Sequence, residues 1–307
     1  MSRMESDATA HTAALKSGQD NAVEPSFDEY GARRFDIPVL LSVPHAGRVY
    51  PDFVLRRSRG DLAILQRLED RYADLLIGKL LEQEYPALVA RVPRALIDLN
   101  RDERDIDPII ISDLPKHLSL VRSAKQRGGL GLIPRFLPRS GDLWKGPMPW
   151  TQISERIENH HRPYHRRIEE RLGELNSVHP EVLLIDVHSM PPLSARAGEK
   201  RPDIVIGDRF GASAASRLAE TACAVIRAHG YAPALNTPYP GYHLIERHAK
   251  PVAGRHALQV EISRDLYLDS ALSEPGEGLG KILDMMGELV MRLEQELSTQ
   301  HWSQAAE

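Results

Sequence analysis

Two stretches of the chain, 38–43 and 182–187, are apolar at almost every position. Half-wetted strands alternate, so these read as strands buried on both faces of a parallel sheet. Further strands are predicted at 87–92, 95–99, 203–207, 231–235 and 257–262. Helical spacing appears first at Leu62, Leu65, Leu68, Tyr72, Leu75, Leu76 and Leu80. With Asp61 as N-cap, this predicts a helix over 61–84, on which Asp70 and Asp74 share a face away from the apolar stripe. A polar helix is expected over 151–175, kinked near Pro163. An Ala-rich helix over 212–229 is closed by Gly230, and an amphipathic helix covers 281–297. Strands and helices thus alternate, which argues for an α/β chain with a mixed, mainly parallel sheet and helices on both faces.

Residues 1–35 lack periodicity and read as a flexible N-terminal tail. The remainder, 36–300, carries no repeat or linker and reads as one domain. The stretch 113–149 is rich in Gly, Pro and Arg and too long for a plain connector, so it is expected to be a functional loop or lid.

Composition narrows the function. The chain has 307 residues, 42% hydrophobic and 27% charged, with a formal net charge of −4. That balance gives no general electrostatic footprint for nucleic acid or an anionic membrane. No apolar run is long enough for a membrane span. A single cysteine, Cys223, excludes an internal disulfide and a Cys-cluster metal site, and a reducing cytoplasm is the expected location.

The candidate chemistry gathers where strands end. The strand at 182–187 runs into His188 and Ser189 and stops before Pro191 and Pro192. The strand at 38–43 runs into Pro44-His45-Ala46-Gly47. In open α/β sheets ligands bind at the carboxyl edge. Two imidazoles there suit a catalytic zinc, which takes three protein donors plus water. The third donor would be Asp70 or Glu69. Asp186 faces the same side as His188 and could orient its ring. Gln259 and Glu261 share one face of the last strand. Glu261 reads either as a general base or as half of an ion pair with an arginine. His160, His161 and His165 form a rival cluster, expected on a solvated face. No His-Glu-x-x-His signature and no Gly-x-Ser-x-Gly elbow is present, which leaves Ser189 a poor nucleophile.

These residues resemble the N-formylglutamate amidohydrolase family over roughly 38–270. The resemblance rests on Ser42-Val43-Pro44-His45-Ala46-Gly47 with Tyr50-Pro51, on Glu69-Asp70 through Asp74, and on Asp98-Leu99-Asn100-Arg101. It also rests on Gly129 to Pro134, on Asp186-Val187-His188-Ser189-Met190-Pro191 and on Gln259-Val260-Glu261-Ile262. It implies a three-layer α/β/α fold like that of zinc carboxypeptidases and aspartoacylase. It implies one catalytic zinc on His45, Asp70 and His188, with Glu261 as catalytic glutamate and Arg94 polarising the scissile carbonyl. Asn100 and Arg101 resemble a substrate-carboxylate clamp, and Tyr242 and Arg247 lie in a substrate-proximal loop. Those relatives often carry their acidic ligand three residues after the first histidine. Here that position is Arg48, so the acidic donor must come from elsewhere. The implied reaction is hydrolysis of N-formyl-L-glutamate to formate and L-glutamate, the last step of one route of histidine degradation. The alternatives are a deacylase or deformylase for another N-acyl amino acid, a short-peptide carboxypeptidase, and a non-catalytic carboxylate-binding module.

Overall fold

The computed structural model describes residues 25–195 and 200–304. The reading of 1–24 as flexible lies outside the described residues. Seven strands form one sheet: β1 (Phe27–Tyr30), β2 (Val39–Val43), β3 (Ala87–Ala90), β4 (Val182–Met190), β5 (Ile204–Gly207), β6 (Pro233–Leu235) and β7 (Arg255–Ser263). Their order is β1-β3-β2-β4-β7-β5-β6. The pairs β3/β2, β2/β4, β4/β7 and β5/β6 are parallel; β1/β3 and β7/β5 are antiparallel. The mixed, mainly parallel sheet expected from the sequence is therefore present. Phe27–Tyr30, inside the stretch read as tail, is an edge strand.

Period-two alternation sorts the central strands onto two faces. Val39, Leu41, Val43, Leu183, Ile185, Val187, Leu258, Val260 and Ile262 point to one core. That face is covered by residues 73–82, the helix Ser216–Ala228 and the terminal helix Leu279–Gln304. Leu40, Leu88, Val182, Leu184 and Ala257 point to the other core. It is covered by Trp150–Arg156, by Arg162–Asn176 and by the short helix His243–His248. The first face is apolar along most of its length, with His256 and Ser189 as polar positions near its two ends. The second begins apolar and becomes polar toward the carboxyl edge, where Ser42, Asp186, His188, Gln259 and Glu261 take the alternating positions. That change of character along one face is what makes room for a site.

Several expected elements take another form. The predicted helix 61–84 is broken. A single turn, Leu62–Gln66, is followed by irregular chain through Tyr72, whose φ of 57° is left-handed. A 3-10 turn, Ala73–Ile77, and a short helix, Gly78–Glu82, come after it. The break has a reason: the Asp70 N–H donates to the His45 carbonyl, a bond that continuous helix would forbid. The predicted strand 95–99 is a buried series of turns. The helix near Pro163 carries a π-turn, Ile157–His161, just before the proline, where the missing proline N–H disturbs the ladder. The stretch 113–149 is mostly irregular, yet Leu132, Ile133, Trp144 and Met148 bury into the second core and anchor it.

Candidate metal centre and active site

The site is assembled from four places. His45 follows β2, Asp70 lies in the helix break, His188 is near the end of β4, and Glu261 sits on β7. Parallel pairing of β4 with β7 sets His188 directly opposite Glu261, and Asp186 opposite Gln259. His45, Asp70 and His188 are all buried.

Their polar atoms converge. Asp70 Oδ2 lies 2.9 Å from His188 Nδ1 and 3.2 Å from His45 Nδ1. The opposite nitrogens face other carboxylates: His45 Nε2 is 2.7 Å from Asp98, and His188 Nε2 is 2.7 Å from Asp186. A ring that donates Nε2–H to a carboxylate keeps a lone pair on Nδ1. Two such lone pairs and a carboxylate oxygen then aim at one another, an arrangement that a cation between them stabilises. Outer carboxylates of this kind fix the tautomer and raise ligand basicity at metal centres. The surrounding charge agrees: the four carboxylates Asp70, Asp98, Asp186 and Glu261 are met by three arginines, Arg94, Arg101 and Arg264. The residues present therefore fit a divalent cation held by His45, Asp70 and His188.

The two acidic candidates point in different directions, Asp70 toward the histidines and Glu69 away from them. Glu69 accepts from the Tyr50 hydroxyl and from Arg71, so its carboxylate is turned away. Both residues are buried, not solvated on a helix face as the periodicity implied. Burial alone would raise the Asp70 carboxyl, but hydrogen bonds from His188 and His45 hold it well below the usual range. Asp98 is held low in the same way, against its burial, by Arg94, His45 and Arg101.

Glu261 is the exception. Burial pushes its carboxyl up to about 7, and Gln259 Nε2 donates to it at 3.0 Å. A buried glutamate with this poise suits proton transfer near neutral pH. No arginine within salt-bridge distance neutralises it among the described residues, which disfavours the ion-pair reading. Arg94 Nε donates to Asp98 at 2.8 Å, and its Nη1 lies 4.0 Å from Asp70. It thus borders the cluster from the turn that the sequence reading took for a strand.

Asn100 is placed differently from a free clamp. Its Oδ1 accepts from the Leu244 N–H, and its Nδ2 lies 3.4 Å from Asp186 and 3.2 Å from His188. Both ends are engaged within the protein. Arg101 and Tyr242 do come together: the guanidinium lies 5.0 Å from the Tyr242 ring centroid, and Lys125 lies 5.2 Å from the same ring. They line a cavity of about 760 Å3 with His243 and Arg247.

Two of the three rival histidines are buried, which overturns their reading as a solvated face, while His160 is half-buried and bonds the Ser26 hydroxyl at 2.7 Å. His161 and His165 are fully buried and gather with His243 and His248. His161 Nε2 donates to the Arg101 carbonyl and His165 Nε2 to the Leu99 carbonyl. His165 Nδ1 is 2.8 Å from His248. These rings brace the 99–101 segment from behind. Burial, with neighbouring cations, keeps His165 and His243 below the usual imidazole range, His243 at about 4. Although His161, His165 and His243 are close enough to share an ion, the set holds no carboxylate and His165 already uses both nitrogens.

Sequence reasoning gave Asp98 no role of its own and missed Arg264 entirely. Arg264 follows β7, donates to Asp70 Oδ1 at 3.2 Å, and holds the Ser189 hydroxyl at 3.0 Å. Ser189 therefore orients Arg264 and, among the described residues, has no imidazole partner. One signal was available for Asp98, its spacing of four from Arg94. For Arg264 no local pattern was available.

Fold and site together define a mixed-sheet α/β protein with a candidate metal centre at the carboxyl edge of its sheet. A family model described as N-formylglutamate amidohydrolase matches residues 37–268, and the chain belongs to that family. It is 29% identical over 247 residues to the N-formylglutamate deformylase of Pseudomonas aeruginosa, covering 77% of this chain and 84% of that one. The N-formylglutamate deformylase of Pseudomonas putida is 28% identical over 237 residues, 76% and 82% of the two chains. The crystal structure of N-formylglutamate amidohydrolase from Ralstonia eutropha JMP134 superposes with a TM-score of 0.79 at 28% identity, over 86% of this chain and 95% of that one.

Proposed function

We propose that this chain is a zinc-dependent amidohydrolase that cleaves the amide of N-formyl-L-glutamate to formate and L-glutamate. The observation that carries the reading is the convergence of His45 Nδ1, His188 Nδ1 and Asp70 Oδ2 beside the raised carboxyl of Glu261. Zinc bound to those three residues would supply a water of lowered pKa and polarise the scissile carbonyl. Glu261 takes the proton from the attacking water and returns it to the departing amine, which leaves as neutral glutamate nitrogen. Gln259 orients Glu261 by donating to one carboxylate oxygen. Arg94, at the margin of the cluster, supplies donors to the negative charge that develops on the carbonyl oxygen. Arg101 and Arg247 draw the substrate carboxylates toward the Tyr242 cavity, since planar guanidinium matches carboxylate bidentately. Asn100 positions His188 and the start of the His243–His248 helix and does not grip substrate.

The test is formate release by purified protein from N-formyl-L-glutamate, N-formyl-L-aspartate, N-acetyl-L-glutamate and glutamyl dipeptides, before and after chelation. The reading expects the highest kcat/KM for N-formyl-L-glutamate, loss on chelation and recovery with zinc. Full activity without metal would sink it, and preference for another substrate would move the enzyme to a different N-acyl amino acid.

A further inference from the structure

The cavity beside Tyr242 holds more positive charge than the protein itself neutralises. Arg101, Arg104, Lys125, Arg209 and Arg247 line it, against Asp102, Asp105 and Glu246. The acids are already engaged. Asp102 accepts from Arg104 Nε and Nη2, each at 3.0 Å, and Glu246 accepts from Arg209 Nη2 at 2.7 Å. Asp105 is buried and accepts from the Ser123 hydroxyl at 2.8 Å and the Ser123 N–H at 3.3 Å.

Arg101 and Lys125 are left over, both against the ring of Tyr242. Arg101 has only the Asp98 carboxylate, at 3.7 Å, which already serves Arg94 and His45. Its Nη2 has no partner among the described residues. Lys125 is half-buried, and among the described residues its Nζ has neither a hydrogen bond nor a carboxylate within salt-bridge distance. Neither atom is sealed from solvent, so both can be reached from the cavity that their side chains line.

Lys125 is fixed there by its turn. The short helix Ala124–Arg127 has Ser123 as N-cap, whose hydroxyl accepts from the Gln126 N–H at 2.9 Å while donating to Asp105. Gln126 is buried, and the Asp105 carbonyl accepts from the Leu132 N–H at 2.7 Å. An ammonium held against a ring face is attracted to it but keeps its charge. The guanidinium against the same ring repels it. A ligand with two carboxylates relieves both conditions, because each cation then has a counter-charge.

The two cations stand differently toward the chemistry. Arg101 lies beside Asp98, which meets the His45 ring, whereas among the described residues no contact ties Lys125 to His45, Asp70, His188 or Glu261. In an N-acyl amino acid the α-carboxylate is the one nearer the scissile amide. Arg101 therefore suits the α-carboxylate, and Lys125 the carboxylate at the end of the side chain. We propose that Lys125 is a specificity-determining residue whose ammonium pairs with the substrate's side-chain carboxylate while Arg101 holds the α-carboxylate. The inference rests on the amidohydrolase reading above and limits the preferred substrates to N-acyl amino acids with an acidic side chain. A neutral isostere such as the glutamine compound leaves the ammonium unpaired, and a site built for a polar partner rejects an analogue that lacks it.

Kinetics and binding test it together. The first measurement is kcat/KM of the zinc-loaded full-length protein for N-formyl-L-glutamate and for N-formyl-L-glutamine. The second is calorimetric titration of L-glutamate and of L-glutamine into the same protein. Wild type should prefer the acidic member of each pair. Lys125→Met should lower kcat/KM for N-formyl-L-glutamate by about tenfold to a hundredfold, the scale of a lost charge-assisted bond, through KM more than kcat. The preference over N-formyl-L-glutamine should fall by the same factor, and Lys125→Arg should restore most of it. Bound zinc and Tm should stay at their wild-type values. Equal losses on both substrates, or a preference that survives in Lys125→Met, overturn the role of Lys125. Protein that hydrolyses neither formyl compound but binds L-glutamate through Lys125 refutes the amidohydrolase and keeps the carboxylate pair. Protein that binds L-glutamate no better than L-glutamine, or equally well in Lys125→Met, refutes the pair whatever it hydrolyses.

Discussion

At the scale of single residues, the site divides into groups whose charge is held and one whose charge is withheld. Asp70 and Asp98 are kept ionised by their neighbours despite burial, while Glu261 is pushed up to about 7. Glu261→Gln keeps the size and the hydrogen bond from Gln259 but cannot take a proton. Its kcat should fall by about 10²- to 10⁴-fold with KM and bound metal little changed; a smaller fall, measured by formate release, removes Glu261 as the base. The same residue sets a stability slope. A folded carboxyl raised above its unfolded value binds more protons in the native state. The stability this carries is complete below about 4.5, the ordinary carboxyl value, and is lost as pH rises through about 7. In chelator, Glu261→Gln should therefore gain Tm relative to wild type between pH 5 and pH 8. A difference that does not change with pH would show that the glutamate is not raised.

At the scale of elements, the decisive piece is not a strand or helix but the turn series 94–101. It places Arg94 beside Asp70, Asp98 behind His45, and Asn100 beside His188. Its carbonyls at Leu99 and Arg101 are capped by His165 and His161, which explains why those rings are buried inside a sequence that reads as polar. Asp98→Asn should lower metal affinity by about 10- to 100-fold, the cost typical of losing an outer carboxylate. Zinc titration against a competing chelator measures this, and unchanged affinity would detach Asp98 from the centre. The helix break at 67–72 matters in the same way. Had 61–84 stayed helical, Asp70 would have faced solvent beside Asp74; instead Asp74 pairs with Arg48 outside the cluster.

At the scale of the whole molecule, the sheet is held from both faces, and among the described residues no helix is long and apolar enough to cross a membrane. Leu184, fully buried between the sheet and the covering helices, sits on the face that leads into the site. Leu184→Ala should cost about 2–5 kcal/mol of stability, read from urea unfolding; a loss below 1 kcal/mol would mean that this core relaxes to fill the gap. A metal that binds only the folded chain should also couple to global stability. Zinc at a hundredfold excess over its Kd should add about 2.7 kcal/mol, seen as a rise in Tm that chelation reverses. No rise would argue against a preformed His45-Asp70-His188 centre.

The sequence by itself determined the central strands, their burial and the side on which chemistry would gather. Continuous apolar runs ending in His45 and His188 carry that information locally, as does the shared face of Gln259 and Glu261. It also delivered Asp186 as the partner of His188, because two positions along a strand always share a face. What it could not carry were contacts between distant segments. The turn of Asp70 toward the histidines, with Glu69 facing away, goes with a hydrogen bond from residue 70 to residue 45 that ends a helix the periodicity favoured. Arg264 reaches Asp70 across 194 positions. The buried histidines look solvated until the 99–101 carbonyls they cap are in place. Local pattern specifies strand and helix because it repeats every two or every 3.6 residues. A metal centre has no period, and only the packing of the folded chain brings its donors to one point.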